Sequence, residues 1–245
     1  MTPIRALQMR SPVVSGGSFA GMASLFAAAE KGAYYDFTDG TKLAVNSDGT
    51  GGPPSIGSAC KWAVDLSPNL NHLRTNQTTG LPLRRVNGLE TSGTNYGLFN
   101  TSGFGNWPNI VEPFEIICTL EQIAYAGTDK IMLAFDGSLS PGLVQGASSG
   151  QVRFYSGGYA PDMAMPLATE ATVEYFSSST VREQRLNNGS PVTAGTGASS
   201  ITSVYLGTGS GGGTSGTQTR FKRMLIIGRV LTSVERAGAY AWASA

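Results

Sequence analysis

Short runs of alternating apolar and polar residues dominate the chain from about residue 33 onward, separated by clusters of glycine, asparagine, serine and proline. The clearest run is 114–123, in which Ile116, Cys118 and Leu120 alternate with polar neighbours. A period of two directs one face of a strand to the core and the other away from it. The pattern therefore predicts a β-strand over this run.

Seven further short runs are also rich in strand-forming residues and are bounded by turn residues. They are 59–66, 130–135, 152–155, 171–176, 180–186, 201–206 and 220–227. The sequence Gly-Thr-Asp at 127–129 predicts a hairpin between 114–123 and 130–135. Asn-Asn-Gly at 187–189 predicts a second hairpin, because asparagine and glycine accept positive φ. Many short strands with turn residues between them predict an antiparallel sandwich or barrel.

Helical patterns flank the predicted strands. Apolar residues at successive spacings of three, three and one mark one helical face and predict a short N-terminal helix over 18–31. Thr232 followed by Glu235 forms a capping-box pattern, which predicts a C-terminal helix over 232–245. Residues 1–17 contain two prolines and a Ser-Gly-Gly-Ser link. They are predicted to be an extended N-terminal arm, with 18–245 forming one domain together with its flanking helices.

Composition narrows the classes of function. The net charge is +1 and charged residues make up only 13% of the chain, without a basic cluster. Nucleic-acid binding requires such a basic face and is not expected. The apolar stretch near the N-terminus is interrupted by glycine and serine, and no run approaches the length of a membrane span. We therefore expect a soluble protein without a signal peptide or membrane insertion.

Five stretches resemble, in the same order, phage and prophage structural proteins that carry a concanavalin A-like, or laminin-G-like, domain. They are 25–36, 65–73, 185–189, 205–207 and 221–236. The last contains an Arg-x-Leu-Thr-x-x-Glu helix start. The resemblance implies an all-β fold, namely a two-sheet antiparallel jelly-roll sandwich with short N- and C-terminal helices.

Five polar residues within these stretches are candidates for a structural motif: Asp65, Asn71, His72, Arg229 and Glu235. Asp65 and Asn71 can hydrogen-bond to local backbone in a turn. Arg229 and Glu235 can form an ion pair, or Glu235 can bond back to the helix cap. We expect all five to support the scaffold.

The resemblance and the arm together favour a non-enzymatic virion structural protein, such as a capsid decoration, head-fibre or tail-associated subunit. The arm would then contact other virion proteins, the chain would form homo-oligomers, and the sandwich would be exposed to host-surface glycans. The localisation expected on this hypothesis is the virion.

A carbohydrate-binding module is the alternative, because sugar sites combine aromatic faces with amide and hydroxyl groups. The candidate glycan-binding residues are Trp107, Asn106, Asn109, Tyr96, Asn95 and Tyr155, the last paired with Tyr159.

Catalytic patterns are missing from the sequence. Glycoside hydrolases use two facing carboxylates, whereas Glu115, Glu121, Glu170 and Glu174 have unsuitable spacing along the chain and are expected to face solvent. A Gly-x-Ser-x-Gly elbow is also missing. We expect no catalytic residue, and a hydrolase is the third hypothesis.

No metal site or cofactor is expected. Asp36, Asp39 and Asp48 lie near one another in sequence, so a structural calcium ion is an open alternative, although their spacing matches no calcium loop. Cys60 and Cys118 are expected to be buried hydrophobic residues. A disulfide between them is left open by the sequence.

Overall fold

The computed structural model describes residues 19–92, 97–101, 107–136, 141–193, 200–207 and 216–245. Within these ranges the protein is all-β and antiparallel, with two large sheets and a short C-terminal helix. No helix among the described residues is long and apolar enough to cross a membrane. The predicted arm, residues 1–17, lies outside the described residues.

The described residues form nineteen strands, numbered in chain order. They are β1 (Gly32–Asp36), β2 (Leu43–Ala44), β3 (Trp62–Ala63), β4 (Leu73–Arg74), β5 (Leu83–Arg85), β6 (Gly88–Glu90), β7 (Phe99–Thr101), β8 (Ile110–Val111), β9 (Phe114–Gln122), β10 (Ile131–Ala134), β11 (Gly142–Gln145), β12 (Gln151–Tyr155), β13 (Met163–Ala164), β14 (Glu170–Ser177), β15 (Arg182–Leu186), β16 (Val192–Thr193), β17 (Ser200–Ile201), β18 (Ser203–Leu206) and β19 (Thr219–Ile227). The helix α1 spans Ser233–Ala243, and short 3₁₀ turns span Met22–Phe26 and Gly40–Lys42.

Two large sheets and one small sheet connect the described strands. The first sheet has the order β16-β15-β14-β9-β19-β6-β5, and β1 also pairs with β19. The second sheet has the order β13-β12-β11-β10-β18-β7-β4-β3-β2, and β17 pairs with β8 separately. Strands that are far apart in sequence therefore become neighbours, as where β19 lies between β9 and β6.

The core consists of apolar side chains from both large sheets. Leu120, Val173 and Phe221 from the first sheet are fully buried in one cluster with Leu133 and Phe154 from the second. Because alternate residues of a strand share a face, the residues between them point to the outer face of each sheet. The prediction of antiparallel strands with apolar inner faces is confirmed.

Most predicted strands form close to their predicted bounds, but two expectations about pairing and extent are wrong. β9 and β10 do not form the predicted hairpin: β9 pairs with β14 and β19, whereas β10 pairs with β11 and β18. The segment at 127–129 instead carries the chain from one sheet to the other. The run 59–66 yields only the two-residue strand β3 and an isolated bridge at Ala59.

The second predicted hairpin is confirmed. β15 pairs antiparallel with β16. Asn187 and Asn188 both adopt positive φ, at 50° and 57°. These are the conformations that asparagine accepts more readily than most residues.

The outer face of the first sheet is covered at one end by α1 and the first 3₁₀ turn. Ile117, Leu225 and Ile227 pack there against residues of α1. The predicted helix over 18–31 is reduced to the 3₁₀ turn Met22–Phe26. This short turn is enough to place its apolar residues against the outer face. Ala29 then has a positive φ of 62°, which ends the helical conformation.

Candidate functional site

A row of directly opposed residues crosses the outer face of the second sheet from β3 to β12. In order across the strands, the row consists of Trp62, Arg74, Phe99, Tyr205, Ala134, Gly142 and Tyr155. Directly opposed residues of neighbouring strands project from the same face of a sheet. We call this set the aromatic row, because four of its seven members are aromatic.

The middle and the β3 end of the row hold aromatic contacts. The rings of Phe99 and Tyr205 stack with centroids 5.7 Å apart. The rings of Trp62 and His72 lie 4.8 Å apart at a tilt of 40°. Trp62 and Phe99 are part-exposed, whereas Tyr205 is only 9% exposed.

The β12 end of the row is its most exposed part. After Tyr155 the chain makes a tight turn in which the Ser156 amide donates to the Gly158 carbonyl at 3.0 Å. This turn brings Tyr159 back beside Tyr155, with ring centroids 4.9 Å apart. Tyr159 is 47% exposed and Tyr155 is part-exposed. We call these two residues the tyrosine pair.

Charged groups surround the tyrosine pair. The guanidinium of Arg153 lies over the Tyr159 ring, 4.1 Å from its centroid. Arg153 Nη2 donates to Asp129 Oδ1 at 2.8 Å, and Nη1 lies 3.5 Å from Asp162 Oδ1. Burial and a hydrogen bond to Asp129 raise the pKa of Tyr159. Two carboxylates and one guanidinium thus stand beside two aromatic rings, which combines an apolar surface with directional hydrogen-bonding groups.

The sequence indicates only part of this site. Tyr155 and Tyr159 are paired by the structure as they are in the sequence-based prediction. Arg153 precedes Tyr155 by two residues and therefore shares its face of β12, which strand alternation could have predicted. Asp129 and Asp162 come from separate segments, and no local pattern places them beside the tyrosine pair.

The other candidate glycan-binding residues lie elsewhere. Trp107 is 3% exposed and belongs to the core, where its Nε1 donates to the Ile201 carbonyl at 3.3 Å. Its ring is therefore inaccessible to a sugar. Asn109 is exposed, and its carbonyl accepts from the Lys31 ammonium at 3.0 Å. Asn95, Tyr96 and Asn106 lie outside the described residues.

Asp65 organises the loop before β4. Its carboxylate accepts hydrogen bonds from the backbone amides of Tyr34, Ser67 and Asn71 and from the Ser67 hydroxyl, at 2.7–3.1 Å. The residue is 2% exposed, and burial raises the pKa of its carboxyl. The Asn71 side-chain amide in turn donates from Nδ2 to the Gly32 carbonyl at 2.8 Å.

His72 and the Arg229–Glu235 pair also contact the scaffold. His72 Nδ1 accepts from the Asp65 amide at 3.0 Å, and burial together with the Arg74 charge lowers the pKa of the imidazole. Arg229 binds both Glu235 oxygens, at 2.8 and 2.9 Å. Glu235 also completes the capping box with Thr232. Each of these contacts joins parts of the scaffold to one another.

The four glutamates on β9 and β14 differ in environment. Glu115 and Glu174 are 0% and 1% exposed, so the expectation that they face solvent is wrong. α1 covers them, and its Arg236 forms ion pairs with both. Glu121 and Glu170 lie directly opposite each other farther along the same face. Arg220 pairs with Glu121, and Lys222 with Glu170.

The acidic residues considered for calcium bind nearby backbone and hydroxyl groups. Asp36 accepts from Thr38, Asp39 caps the turn at Gly40–Lys42, and Asp48 accepts from Thr50. Among the described residues, no three His, Cys, Asp or Glu side chains are grouped so as to hold a metal ion.

The two cysteines are free and buried. Burial raises the pKa of the Cys60 thiol to about 11 and that of Cys118 still further. Both thiols are therefore protonated near neutral pH.

Comparison with known proteins gives matches at the level of structure. No family model and no curated protein matches the sequence. Trypanosoma rangeli sialidase in complex with sialic acid matches with a TM-score of 0.56 and 16% identity, over 87% of this chain and 33% of that one. The same sialidase with 2,3-difluorosialic acid matches with a TM-score of 0.56 and 14% identity, over 96% and 35%. A variant of a GH54 α-L-arabinofuranosidase, soaked with 4-nitrophenyl α-L-arabinofuranoside, matches with a TM-score of 0.52 and 13% identity, over 89% and 65%.

These matches overturn the hypothesis of a non-enzymatic virion structural protein. The matched structures are carbohydrate-processing enzymes, and the resemblance to phage proteins has no counterpart among the matches given above. The expectation that the chain is not an enzyme is contradicted by the same finding. The chain spans about a third of the length of the sialidases it matches. At 13–16% identity the likeness establishes a shared fold.

Proposed function

We propose that this chain binds carbohydrate as part of a carbohydrate-processing protein, and that the sugar contacts the outer face of the second sheet at the tyrosine pair. The observation that carries the proposal is the aromatic row, which ends at two accessible tyrosine rings beside Arg153 and its two carboxylates. Sugars present flat C–H faces edged by hydroxyl groups. Aromatic rings bind the faces, and charged side chains bind the hydroxyls.

The exposure of the described residues supports this location. Among the large exposed hydrophobic residues that the structure describes, Tyr159, 47% exposed, is the one with an aromatic ring. The polar groups around it are held in place by their mutual ion pairs, which limits the entropy that would be lost on binding. A preformed arrangement of this kind favours ligand binding over a purely structural role.

The local charge favours neutral sugars. The groups nearest the tyrosine pair comprise the carboxylates of Asp129 and Asp162 and the guanidinium of Arg153, a net charge of −1. A carboxylate on the ligand would be repelled by this excess of negative charge. We therefore propose neutral glycans, such as arabinofuranosides, as the first ligands and sialic acid conjugates as the weaker ones.

The proposal is tested by measuring binding of the purified chain to a panel of arabinofuranosides, other neutral oligosaccharides and sialylated oligosaccharides. We expect neutral members to bind, and Tyr155→Ala and Tyr159→Ala each to weaken binding by about tenfold, because an aromatic–ligand contact contributes on the order of 1 kcal/mol or more. Phe176→Ala is the matched control, since Phe176 is a part-exposed aromatic residue of the first sheet.

Two outcomes would contradict the proposal. One is that no panel member binds at high protein concentration. The other is that Phe176→Ala weakens binding as much as the tyrosine variants do while all three proteins keep the wild-type thermal midpoint. Preferred binding of sialylated oligosaccharides would contradict the charge argument alone.

A second candidate function is glycoside hydrolysis by this chain, favoured by the opposed carboxylates of Glu121 and Glu170. Directly opposed residues of antiparallel strands have Cβ atoms about 4.5–5.5 Å apart. Retaining glycosidases separate their two carboxyl groups by about 5–5.5 Å, a separation that side chains on such neighbouring positions can reach when they turn from their partners Arg220 and Lys222. Glu170 is exposed and Glu121 is part-exposed, so both are accessible from the outer face of the first sheet.

Chromogenic arabinofuranosides and sialosides test this second candidate. If the chain hydrolyses them, Glu121→Gln and Glu170→Gln should each abolish turnover, while Glu183→Gln, a change on β15 away from the pair, should not. Hydrolysis that survives both substitutions, or no hydrolysis by the wild type, would rule out the pair.

We propose further that the two large sheets form a jelly-roll sandwich of the concanavalin A-like kind. Support comes from the connectivity, because the chain passes repeatedly from one large sheet to the other. In addition, the first strand, β1, pairs with the last, β19. An experimental structure that shows this connectivity, including the segments outside the described residues, would test the assignment.

A further inference from the structure

A buried polar cluster closes one end of the space between the two large sheets. Gln122 ends β9 and lies directly opposite Thr219, the first residue of β19. On the other side of Thr219, the Thr91 backbone amide donates to the Thr219 carbonyl at 2.9 Å. Leu120 and Phe221 precede and follow these positions by two residues and are core residues. Gln122 and Thr219 therefore point into the interior, where both are 0% exposed.

Neighbouring polar side chains in this region are satisfied by the protein itself. Gln145 of the second sheet donates to the Ala124 carbonyl at 2.6 Å and accepts from the Ala126 amide at 2.8 Å. Thr217 Oγ1 donates to the same Ala124 carbonyl at 3.0 Å. Thr91 Oγ1 donates to the Thr217 carbonyl, also at 3.0 Å. These contacts join the two sheets and close this end of the interior.

Gln122 and Thr219 differ from these neighbours. Within the part of the chain that the structure describes, neither Oε1 nor Nε2 of Gln122 has a hydrogen-bond partner, and Oγ1 of Thr219 has none either. An unpaired polar group is expensive to bury, and such groups are rare in folded proteins. Three unpaired atoms on two directly opposed residues indicate one shared partner other than the described protein groups.

The chemistry of the three atoms restricts what that partner can be. Nε2 only donates, Oε1 only accepts, and the threonine hydroxyl does either. A metal cation would leave Nε2 unpaired, and an anion would leave Oε1 unpaired. A hydroxyl group that both donates and accepts satisfies all three.

We propose that Gln122 and Thr219 bind a buried water molecule between the two sheets. Internal waters make about three hydrogen bonds each to groups that the protein leaves unpaired, and these residues offer three such atoms. The full burial of both side chains favours water, the smallest hydroxylic ligand, over a polyol or a sugar hydroxyl.

A crystal structure of the wild-type chain, grown without glycerol or other polyols, tests the proposal directly. We expect an isolated solvent peak within about 3.2 Å of Gln122 Nε2, Gln122 Oε1 and Thr219 Oγ1. An empty site would overturn the proposal. A larger molecule there, identified by mass spectrometry of the denatured protein, would overturn the assignment to water.

Counting long-lived waters by oxygen-17 relaxation dispersion provides a measurement in solution. The combined variant Gln122→Met with Thr219→Val should hold one long-lived water fewer than the wild type. Gln145→Met is the matched control, because the Gln145 amide is already paired with the protein, and it should leave the number unchanged. Equal numbers in all three proteins would contradict the proposal.

Discussion

Asp65 shows how one buried residue can fix a loop. Its carboxylate accepts four hydrogen bonds from three residues, and His72 accepts from its backbone amide. The sequence predicted local hydrogen bonds for Asp65, but not the bond to the Tyr34 amide, which comes from 31 residues earlier. Short-range bonds follow from residue type, whereas the long-range bond depends on where β1 lies.

Replacing this carboxylate should have a large effect on stability. Asp65→Ala leaves four donors, three of them in buried hydrogen bonds, without their acceptor. We therefore expect a loss of about 3 kcal/mol in the free energy of unfolding. Urea denaturation measures it. Asp48→Ala is the matched control, because the exposed Asp48 accepts the same kind of bonds from Thr50. An equally small loss for both variants would contradict the structural role of Asp65.

Trp107 and the tyrosine pair show the limits of local sequence at the residue scale. The glycine and asparagine residues around Trp107 are typical of an exposed loop, yet Ile201, 94 residues later, accepts its indole hydrogen bond in the core. Tyr155 and Tyr159 are only four residues apart, so a tight turn suffices to pair them. The pairing of the two tyrosines could be predicted because they are close along the chain. The burial of Trp107 could not, because its partner Ile201 is distant in sequence.

At the scale of elements, α1 changes the environment of the neighbouring strands β9 and β14. The alternating pattern predicted the strand, but the outer face carries Glu115 and Glu174, which are buried when α1 packs over them. Burial raises the pKa of Glu115, against the opposing effect of Arg236. Tyr240 on the same helix donates to Glu174 at 2.8 Å. The helix thus supplies partners for the two carboxylates that it covers, which the pattern of a single strand cannot show.

Removing the helix cation should release α1. Arg236→Ala leaves one of the two buried carboxylates without a cation and the other with only Arg185, 3.9 Å away. Breaking a buried pair in this way costs about 3–5 kcal/mol. Fluorescence of Trp242, which contacts Tyr34 edge to face, reports whether the helix remains docked. Val234→Ala, an exposed change on the same helix, should leave both stability and fluorescence near wild type. Unchanged fluorescence and stability in Arg236→Ala would contradict this account of docking.

At the scale of the whole molecule, the sheet order is what the sequence could not supply. Runs such as 114–123, 171–176 and 220–227 predicted strands because their alternation is local. Their order in the sheet depends on contacts between distant segments, as where β19 enters between β9 and β6. The aromatic row depends on the same order, since its seven residues come from seven strands.

Ion pairs between elements should make the fold sensitive to acid. Hydrogen bonds from Arg229 lower the pKa of Glu235 to about 2. At Glu90, burial alone would raise the pKa of the carboxyl. Hydrogen bonds from Arg85, Arg220 and Gln218 outweigh burial and lower this pKa to about 2. Because these folded-state pKa values lie below the unfolded ones, their contribution is present above about pH 4.5 and is lost as the pH falls toward 2.

Glu235→Gln isolates one of these contributions, because glutamine keeps the capping-box hydrogen bond but does not titrate. We expect the variant to be less stable than the wild type at neutral pH and the difference to shrink between about pH 4.5 and 2. Urea denaturation midpoints across this range measure the effect. A difference that is constant with pH would contradict the assignment.

The location of a bound glycan tests the central claim most directly. Backbone amide chemical shifts of the chain, followed during titration with the tightest-binding neutral oligosaccharide, would map the contact surface. The account predicts that the largest changes cluster around Tyr155, Tyr159 and Arg153 on the outer face of the second sheet. Changes confined to the first sheet, or none at saturating sugar, would contradict it.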